Sequence, residues 1–263
     1  MKKLYIIKIG GNIIDNPIAL EKFLMDFSKM QGLKILVHGG GKVASEFAKK
    51  MGVSQAMVNG RRITDAETLK ITTMVYAGLI NKQIVALLQS QHMDAIGLCG
   101  ADANIIKSSK REVADIDYGF VGDVLSSSIN SNLLSVFLEM NLVPVFSAIT
   151  HDGNGQLLNT NADSIASVLA VALSDKYNVQ LNYCFEKNGV LENIEDENSV
   201  IKTITKTKYK QLLQTGIISK GMIPKLDSAF SAIQQGVCSV VIANADELIN
   251  TTKNEHAGTT LIA

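Results

Sequence analysis

Leu4-Tyr5-Ile6-Ile7-Lys8-Ile9-Gly10-Gly11 is a short apolar run that ends in two glycines, and Ile35-Leu36-Val37-His38-Gly39-Gly40-Gly41 repeats the design with three. Runs of this length bounded by glycine are the mark of buried strands. Residues 19–30 and 43–51, which follow them, carry apolar side chains at helical spacing. Strand, glycine turn and helix are thus written twice in succession. Residues 94–98, 142–147, 179–184 and 239–243 read as further buried strands. Residues 65–91, 131–140, 162–174, 208–215 and 224–235 read as helices, the longest opened by Thr64 or Asp65 as its N-cap. The alternation predicts an α/β fold, a three-layer αβα sandwich around a largely parallel sheet. Ligands of such sheets bind beyond the carboxyl ends of the strands, where these glycines stand. Residues 53–63 and 148–158 read as β-hairpin lids, the second with Gly153-Asn154-Gly155 as its turn.

The chain has 263 residues, 46% of them apolar, which suits one globular unit with a sizeable core. Its 25 basic residues balance 25 acidic ones, so no general positive field exists to hold nucleic acid or an anionic membrane, and any anion site must be local. Three cysteines, Cys99, Cys184 and Cys238, lie in or beside apolar runs and are expected to be buried thiols of a reducing compartment. The N-terminal apolar run is broken by Lys8 and lacks a small-residue cleavage site, unlike a signal peptide. No uninterrupted apolar stretch approaches the about 18 residues of a spanning helix, so a cytoplasmic protein is expected.

Four constellations carry chemistry. Lys8 comes at the end of a buried strand, where an ammonium is costly unless it meets an anion, and Gly10-Gly11 lets backbone N–H groups approach that anion. Val37-His38-Gly39-Gly40-Gly41-Lys42 is neither a Walker A loop nor a dinucleotide turn. Asn159-Thr160-Asn161-Ala162-Asp163 precedes a helical run. In Gly221-Met222-Ile223-Pro224-Lys225, Pro224 reads as the first helical residue and puts Lys225 in the first turn, where a cation opposes the helix dipole unless an anionic ligand joins it. Taken singly, each has a plain structural reading: a lysine on a wet sheet edge, a tight turn, a helix cap, a surface lysine. His38 alone reads as a structural histidine.

Taken together, their order and spacing resemble the amino-acid kinase family, and within it the branch that phosphorylates N-acylated glutamate. The resemblance runs essentially along the whole chain, through residues 7–11, 37–41, Asn59-Gly60-Arg61-Arg62-Ile63-Thr64, Asn81-Lys82, Val121-Gly122-Asp123-Val124, residues 159–163, 216–226 and the closing Gly258-Thr259-Thr260-Leu261-Ile262. It implies ATP with Mg²⁺ and transfer of phosphate to the side-chain carboxylate of N-acetyl-L-glutamate, in arginine biosynthesis. It implies that Lys8 and Lys225 grip the transferring phosphoryl group and that Asp163 holds both lysines. Gly10, Gly11, Phe185, Glu186, Gly189, Gly221 and Met222 would bind the nucleotide, with Gly11 and Gly40 donating N–H groups to phosphate. Gly40, Gly41, Arg62 and Asn159 would bind the acceptor, Arg62 clamping its α-carboxylate and Asn159 its acylamino end. Residues 1–175 would form the acyl-amino-acid lobe and 176–263 the nucleotide lobe of one domain. A homodimer without arginine feedback is implied by a chain that starts directly at the first strand.

The sequence also departs from the family's usual pattern. Cys99-Gly100-Ala101-Asp102-Ala103 stands where a Ser-Gly-Lys-Asp-Gly segment is usual. Phe185-Glu186-Lys187 replaces Ser or Thr followed by Asp-Val beside the nucleotide, and Lys42 replaces a common proline. The added charge of Lys42 would suit an acceptor with a further carboxylate, N-succinylglutamate, unless Lys42 points to solvent. The alternatives are sister kinases (aspartokinase, glutamate 5-kinase, carbamate kinase, UMP kinase) and a non-catalytic acyl-amino-acid sensor. The aspartokinase Gly-Gly-Thr-Ser continuation is missing, and a sensor would be expected to have lost a gripping lysine or Asp163.

Overall fold

The computed structural model describes residues 1–58, 60–193, 195–218, 222–252 and 257–263. Its strands are β1 (Lys3–Ile9), β2 (Leu33–His38), β3 (Met57–Val58), β4 (Arg61–Arg62), β5 (Ala95–Leu98), β6 (Ile106–Lys110), β7 (Val121–Ile129), β8 (Val143–Ser147), β9 (Ile149–His151), β10 (Leu157–Thr160), β11 (Asn178–Phe185), β12 (Thr203–Thr205), β13 (Ser239–Asn244) and β14 (Thr259–Ile262). Eight of them form one sheet in the order β12-β14-β13-β11-β1-β2-β8-β5. Every pairing in it is parallel except β13 with β14. Strands β2, β5 and β8 lie on one side of β1, and β11 to β14 on the other. The carboxyl end of β1, between β2 and β11, is therefore the topological switch point where an open α/β sheet leaves a crevice.

The helices are α1 (Gly11–Ile14), α2 (Pro17–Lys29), α3 (Gly41–Lys50), α4 (Ala66–Thr73), α5 (Asn81–Ser90), α6 (Ser131–Glu139), α7 (Ala162–Leu173), α8 (Lys206–Gln214) and α9 (Ile223–Gln234). Helices α6, α7 and α9 lie against the sheet on one side, and α5, backed by α2, lies against β5 and β8 on the other. The expected three layers are present. The apolar strands form the middle of the core: Leu4, Ile6, Ile7, Ile9, Ile35, Leu36 and Val37 are fully buried. Burial of each such side chain stabilises the fold by roughly 1.5–3 kcal/mol.

Asp65 caps the long helix, its carboxylate accepting from the Thr68 N–H at 2.8 Å. Between α4 and α5 the helix widens into a π segment, Met74–Ile80. The whole rod, Ala66–Ser90, is long and apolar enough by length and composition to cross a bilayer. Here Ile71, Val75, Tyr76, Ile80, Ile84 and Leu88 point into the core. Both anticipated hairpins exist, β3–β4 and β9–β10. Strands β6, β7, β9 and β10 close into a small barrel that sequence patterning did not anticipate. The cysteine expectation holds in part: Cys184 is buried, Cys99 is half-buried, and Cys238 is exposed on the connection from α9 into β13.

Candidate active site

Four helices, α1, α3, α7 and α9, present their N-terminal residues to two cavities at the carboxyl end of β1. Backbone N–H groups left unpaired at such ends attract anions. One cavity, of about 270 Å³, is lined by Lys8, Gly11, Gly39, Gly40, Gly41, Arg62, Tyr76, Asn159 and Asp163, among others. The other, of about 350 Å³, is lined by Lys8, Gly10, Gly11, Phe185, Glu186, Gly189, Met222 and Lys225, among others. Lys8 and Gly11 belong to both.

Lys8 stands on β1 with Val37 and Tyr183 as its register neighbours on β2 and β11. It is buried, and its Nζ lies 2.7 Å from Oδ1 of Asp163. Removal of an ammonium from water costs several kcal/mol, and the carboxylate offsets that cost. Asp163 is delivered by the first turn of α7, which Asn161 caps by accepting from the Ser164 N–H at 3.1 Å. The Tyr183 hydroxyl donates to the Asp163 carbonyl at 3.3 Å. Lys225 sits in the first turn of α9, whose helical geometry begins one residue earlier than expected, at Ile223. Its Nζ lies 3.6 Å from the centre of the Phe185 ring. Burial lowers the Lys225 pKa; Asp163 opposes that shift and Lys8 adds to it.

In the first cavity Arg62 is held in place before any ligand arrives. Its Nη2 donates to the Gly41 carbonyl at 2.7 Å and to Ser45 Oγ at 3.0 Å, and its Nη1 donates to Gln55 Oε1. Asn159 donates to Thr64 Oγ1 at 3.0 Å, tying β10 to the chain just past β4. Gly40 has φ +147°, and a Cβ there would stand 2.3 Å from Ile80 Cδ1 and 3.1 Å from Tyr76 Cδ1. Only glycine fits this turn. Tyr76, Arg61 and Arg111 also line the cavity, and motif reasoning assigned none of them a role. Tyr76 was hidden in the apolar stripe of the long helix. Arg61 was visible only as a neighbour of Arg62. Arg111 pairs with Asp123, its Nε 3.0 Å from Oδ2.

In the second cavity stand the described residues expected to meet the nucleotide: Gly10, Gly11, Phe185, Glu186, Gly189 and Met222. Gly221 lies outside the described residues, as does Asn59 of the first hairpin. Gly189 has φ +148°, with Thr259 Oγ1 2.7 Å from where a Cβ would be. The loop after β11 is braced by Asn244, which donates to the Glu186 carbonyl at 3.0 Å.

His38 faces neither cavity. It is fully buried, with Nδ1 2.8 Å from the Gly39 carbonyl and Nε2 3.1 Å from Asn81 Nδ2. Burial pushes its pKa down to about 4. It is a neutral ring that donates to Gly39 and accepts from Asn81, which agrees with its structural reading. Lys42 points outward, its side chain 64% exposed and 3.9 Å from Asp15. It does not line the first cavity.

The chain matches the amino acid kinase family over residues 3–244. The acetylglutamate kinase of Cytophaga hutchinsonii is 58% identical over 265 residues, covering 100% of both chains. That of Phocaeicola vulgatus is 52% identical over 260 residues, covering 99% of this chain and 98% of its own. The crystal structure of the smu.665 protein from Streptococcus mutans UA159 superposes with a TM-score of 0.74 at 26% identity, covering 99% of this chain and 98% of that one. Similarity that runs the length of the chain, and not through one motif, means that it belongs to the amino acid kinase family.

Proposed function

We propose that the chain transfers the γ-phosphoryl group of ATP to the side-chain carboxylate of N-acetyl-L-glutamate, a step of arginine biosynthesis. The observation that carries this reading is that two cavities of different character share Lys8 and Gly11 as a common wall. A phosphoryl group leaving one cavity can be received in the other beside a fixed ammonium and a backbone N–H. The names of relatives at 58% and 52% identity supply the acceptor class.

The acceptor carboxylate is ionised at neutral pH, so the reaction needs no general base. The obstacle is bringing two anions together, which fixed cations and oriented N–H groups overcome. Lys8 and Lys225 take that part, with Asp163 fixing Lys8 directly. Arg62, already immobilised, clamps the α-carboxylate with its planar fork. Asn159 meets the acylamino end. Gly40 and Gly41 face the acceptor; Gly10, Gly11, Phe185, Glu186, Gly189, Gly221 and Met222 form the nucleotide side. The cavity proposed for the acceptor is lined by residues up to Asp163, and the one proposed for the nucleotide by residues from Lys8 to Ile242. Among the described residues no cluster of three His, Cys, Asp or Glu side chains stands ready for a metal. Mg²⁺ would come with the nucleotide's phosphates, where it would screen their charge. The same reading makes this a cytoplasmic enzyme working as a homodimer.

A second reading is N-succinylglutamate as acceptor. Arg61 and Arg111 line the acceptor cavity beside Arg62, which offers a further carboxylate cationic partners. A sensor without turnover is disfavoured, since Lys8, Asp163 and Lys225 are all in place.

The test is release of ADP from Mg-ATP with N-acetylglutamate, N-succinylglutamate, free glutamate or aspartate, with hydroxylamine trapping any acyl phosphate as its hydroxamate. Turnover with N-acetylglutamate and none with free glutamate is expected. Turnover with free glutamate or aspartate, or with none of the four, would overturn the proposal.

A further inference from the structure

Phe185 lines the second cavity, yet phosphoryl transfer by two lysines gives its ring no task. It stands at the carboxyl end of β11, at the position where the sequence departs from the pattern it resembles. Its ring lies against the two lysines that would grip the transferring phosphoryl group. Lys225 Nζ is 3.6 Å and Lys8 Nζ 5.3 Å from its centre, both within the about 6 Å reach of a cation–π contact. The ring is itself held: Tyr183, two residues back on the same strand face, stacks on it at 6.1 Å and 15°. Tyr183 is buried and bonded to the Asp163 backbone.

The two lysines are not equivalent. Lys8 has Asp163 at 2.7 Å. Among the described residues Lys225 has no carboxylate within ion-pair distance, and the face of Phe185 stands 3.6 Å from its ammonium. A half-buried ammonium beside a second ammonium tends to turn toward water or lose its proton. A carboxylate in place of the ring would prevent that, but it would also repel the incoming phosphate. A ring face attracts the ammonium without net charge, and weakly enough to release it.

Resting on the phosphoryl-transfer reading above, we propose that Phe185 is a positioning residue: its ring holds the Lys225 ammonium, charged and aimed at the phosphate end of the nucleotide cavity, until ATP arrives to accept it. The groups facing Lys225 set the sign of the test. Asp163 on α7 favours the charged form, Lys8 on β1 disfavours it, Glu186 and Lys187 line the same cavity, and burial lowers the pKa. Asp227 on its own helix is bonded to the Tyr209 hydroxyl. Removal of the ring takes away a stabiliser of the charged form, so the Lys225 pKa falls further.

The experiment is a titration of the Lys225 side chain in the ligand-free full chain by carbon–proton NMR, assigned with Lys225→Arg. It is run beside kcat/KM for Mg-ATP against pH, which reports groups of the free enzyme. Wild type, Phe185→Leu and Phe185→Tyr are compared, with Phe185→Met as a second apolar replacement without a ring. In the wild type and in Phe185→Tyr, the Lys225 methylene protons are expected to be shifted upfield by the ring. In Phe185→Leu and Phe185→Met that shift is lost and the Lys225 pKa falls by about one unit, the size of a desolvated cation–π contact. The alkaline limb of kcat/KM moves to lower pH with it, and kcat/KM at neutral pH drops about tenfold because the ammonium is no longer aimed, while KM for the acyl amino acid stays within about twofold. An unchanged titration in both ringless variants, or an equal loss in Phe185→Tyr, overturns the proposal. A wild type that carries the ring shift but transfers no phosphate overturns the phosphoryl-transfer reading instead.

Discussion

The cavity proposed for the acceptor is walled by groups that already hold one another: Arg62 on the Gly41 carbonyl, Ser45 and Gln55; Asn159 on Thr64; Gly40 wedged against Ile80 and Tyr76. The cavity proposed for the nucleotide, across Lys8 and Gly11, has few side-chain donors fixed in this way among the described residues. It relies on glycine backbone and on lysines, one of which rests on a ring. The difference follows from what each side must recognise. A small acceptor offers little area, so its polar groups must be met by preformed partners; side chains left to order on binding would cost about 0.5–1.5 kcal/mol each. A nucleotide brings several phosphate oxygens, and N–H groups at helix ends suit these whatever the neighbouring side chains. The departure from the family's usual pattern at Phe185-Glu186-Lys187 accordingly falls on the nucleotide side, while Arg62 and Asn159 stand within motifs on the other.

The comparison can be broken at three strengths. Lys8→Ala and Lys225→Ala strike the groups at the phosphoryl-transfer end, and each is expected to lower kcat by at least about 100-fold, the scale of losing an electrostatic donor in a closed site. Near-normal steady-state turnover in either variant would sink the two-lysine account. Lys8→Ala should also lower Tm more than Lys225→Ala, because it alone leaves Asp163 without its ion-pair partner. Arg62→Ala strikes the acceptor side only. KM for the acyl amino acid should rise roughly 10- to 100-fold, the worth of a charge-assisted hydrogen bond or two, with KM for ATP unchanged within about threefold. Equal rises in both KM values would mean that the two cavities are not separate recognition units. The loss on removing the Phe185 ring is the smallest of the three and confined to the nucleotide side.

The sheet was legible because its central strands are buried on both faces and so are written as continuous apolar runs. The glycine loops were legible for a related reason: three glycines in a row at a strand end weaken the chain unless something must come close. The barrel was not legible. Serine and lysine make up most of β6 and three serines stand in β7; inside the barrel the contacts are hydroxyl to hydroxyl, Ser108 of β6 to Thr150 of β9 at 2.6 Å and Thr150 to Thr160 of β10 at 2.7 Å, packed around Gly122 of β7. An interior filled by serine, threonine and glycine carries no hydrophobic period to read. In the site, residues inside motifs were found and residues that serve through tertiary contact were not. Tyr76 reaches the acceptor cavity from the π segment of a helix whose sequence reads as plain core. Phe185 could be marked as a departure, but its contact with two lysines from other elements exists only once β1, β11 and α9 are assembled.

On the proposed function, the two cavities hand a phosphoryl group directly across their shared wall, with no covalent stop on the protein. ATP made chiral at its γ-phosphorus with oxygen isotopes tests it most directly. Direct in-line transfer to the acyl glutamate predicts inversion of configuration in the product. Retention would require two displacements through a phosphorylated side chain and would contradict the account.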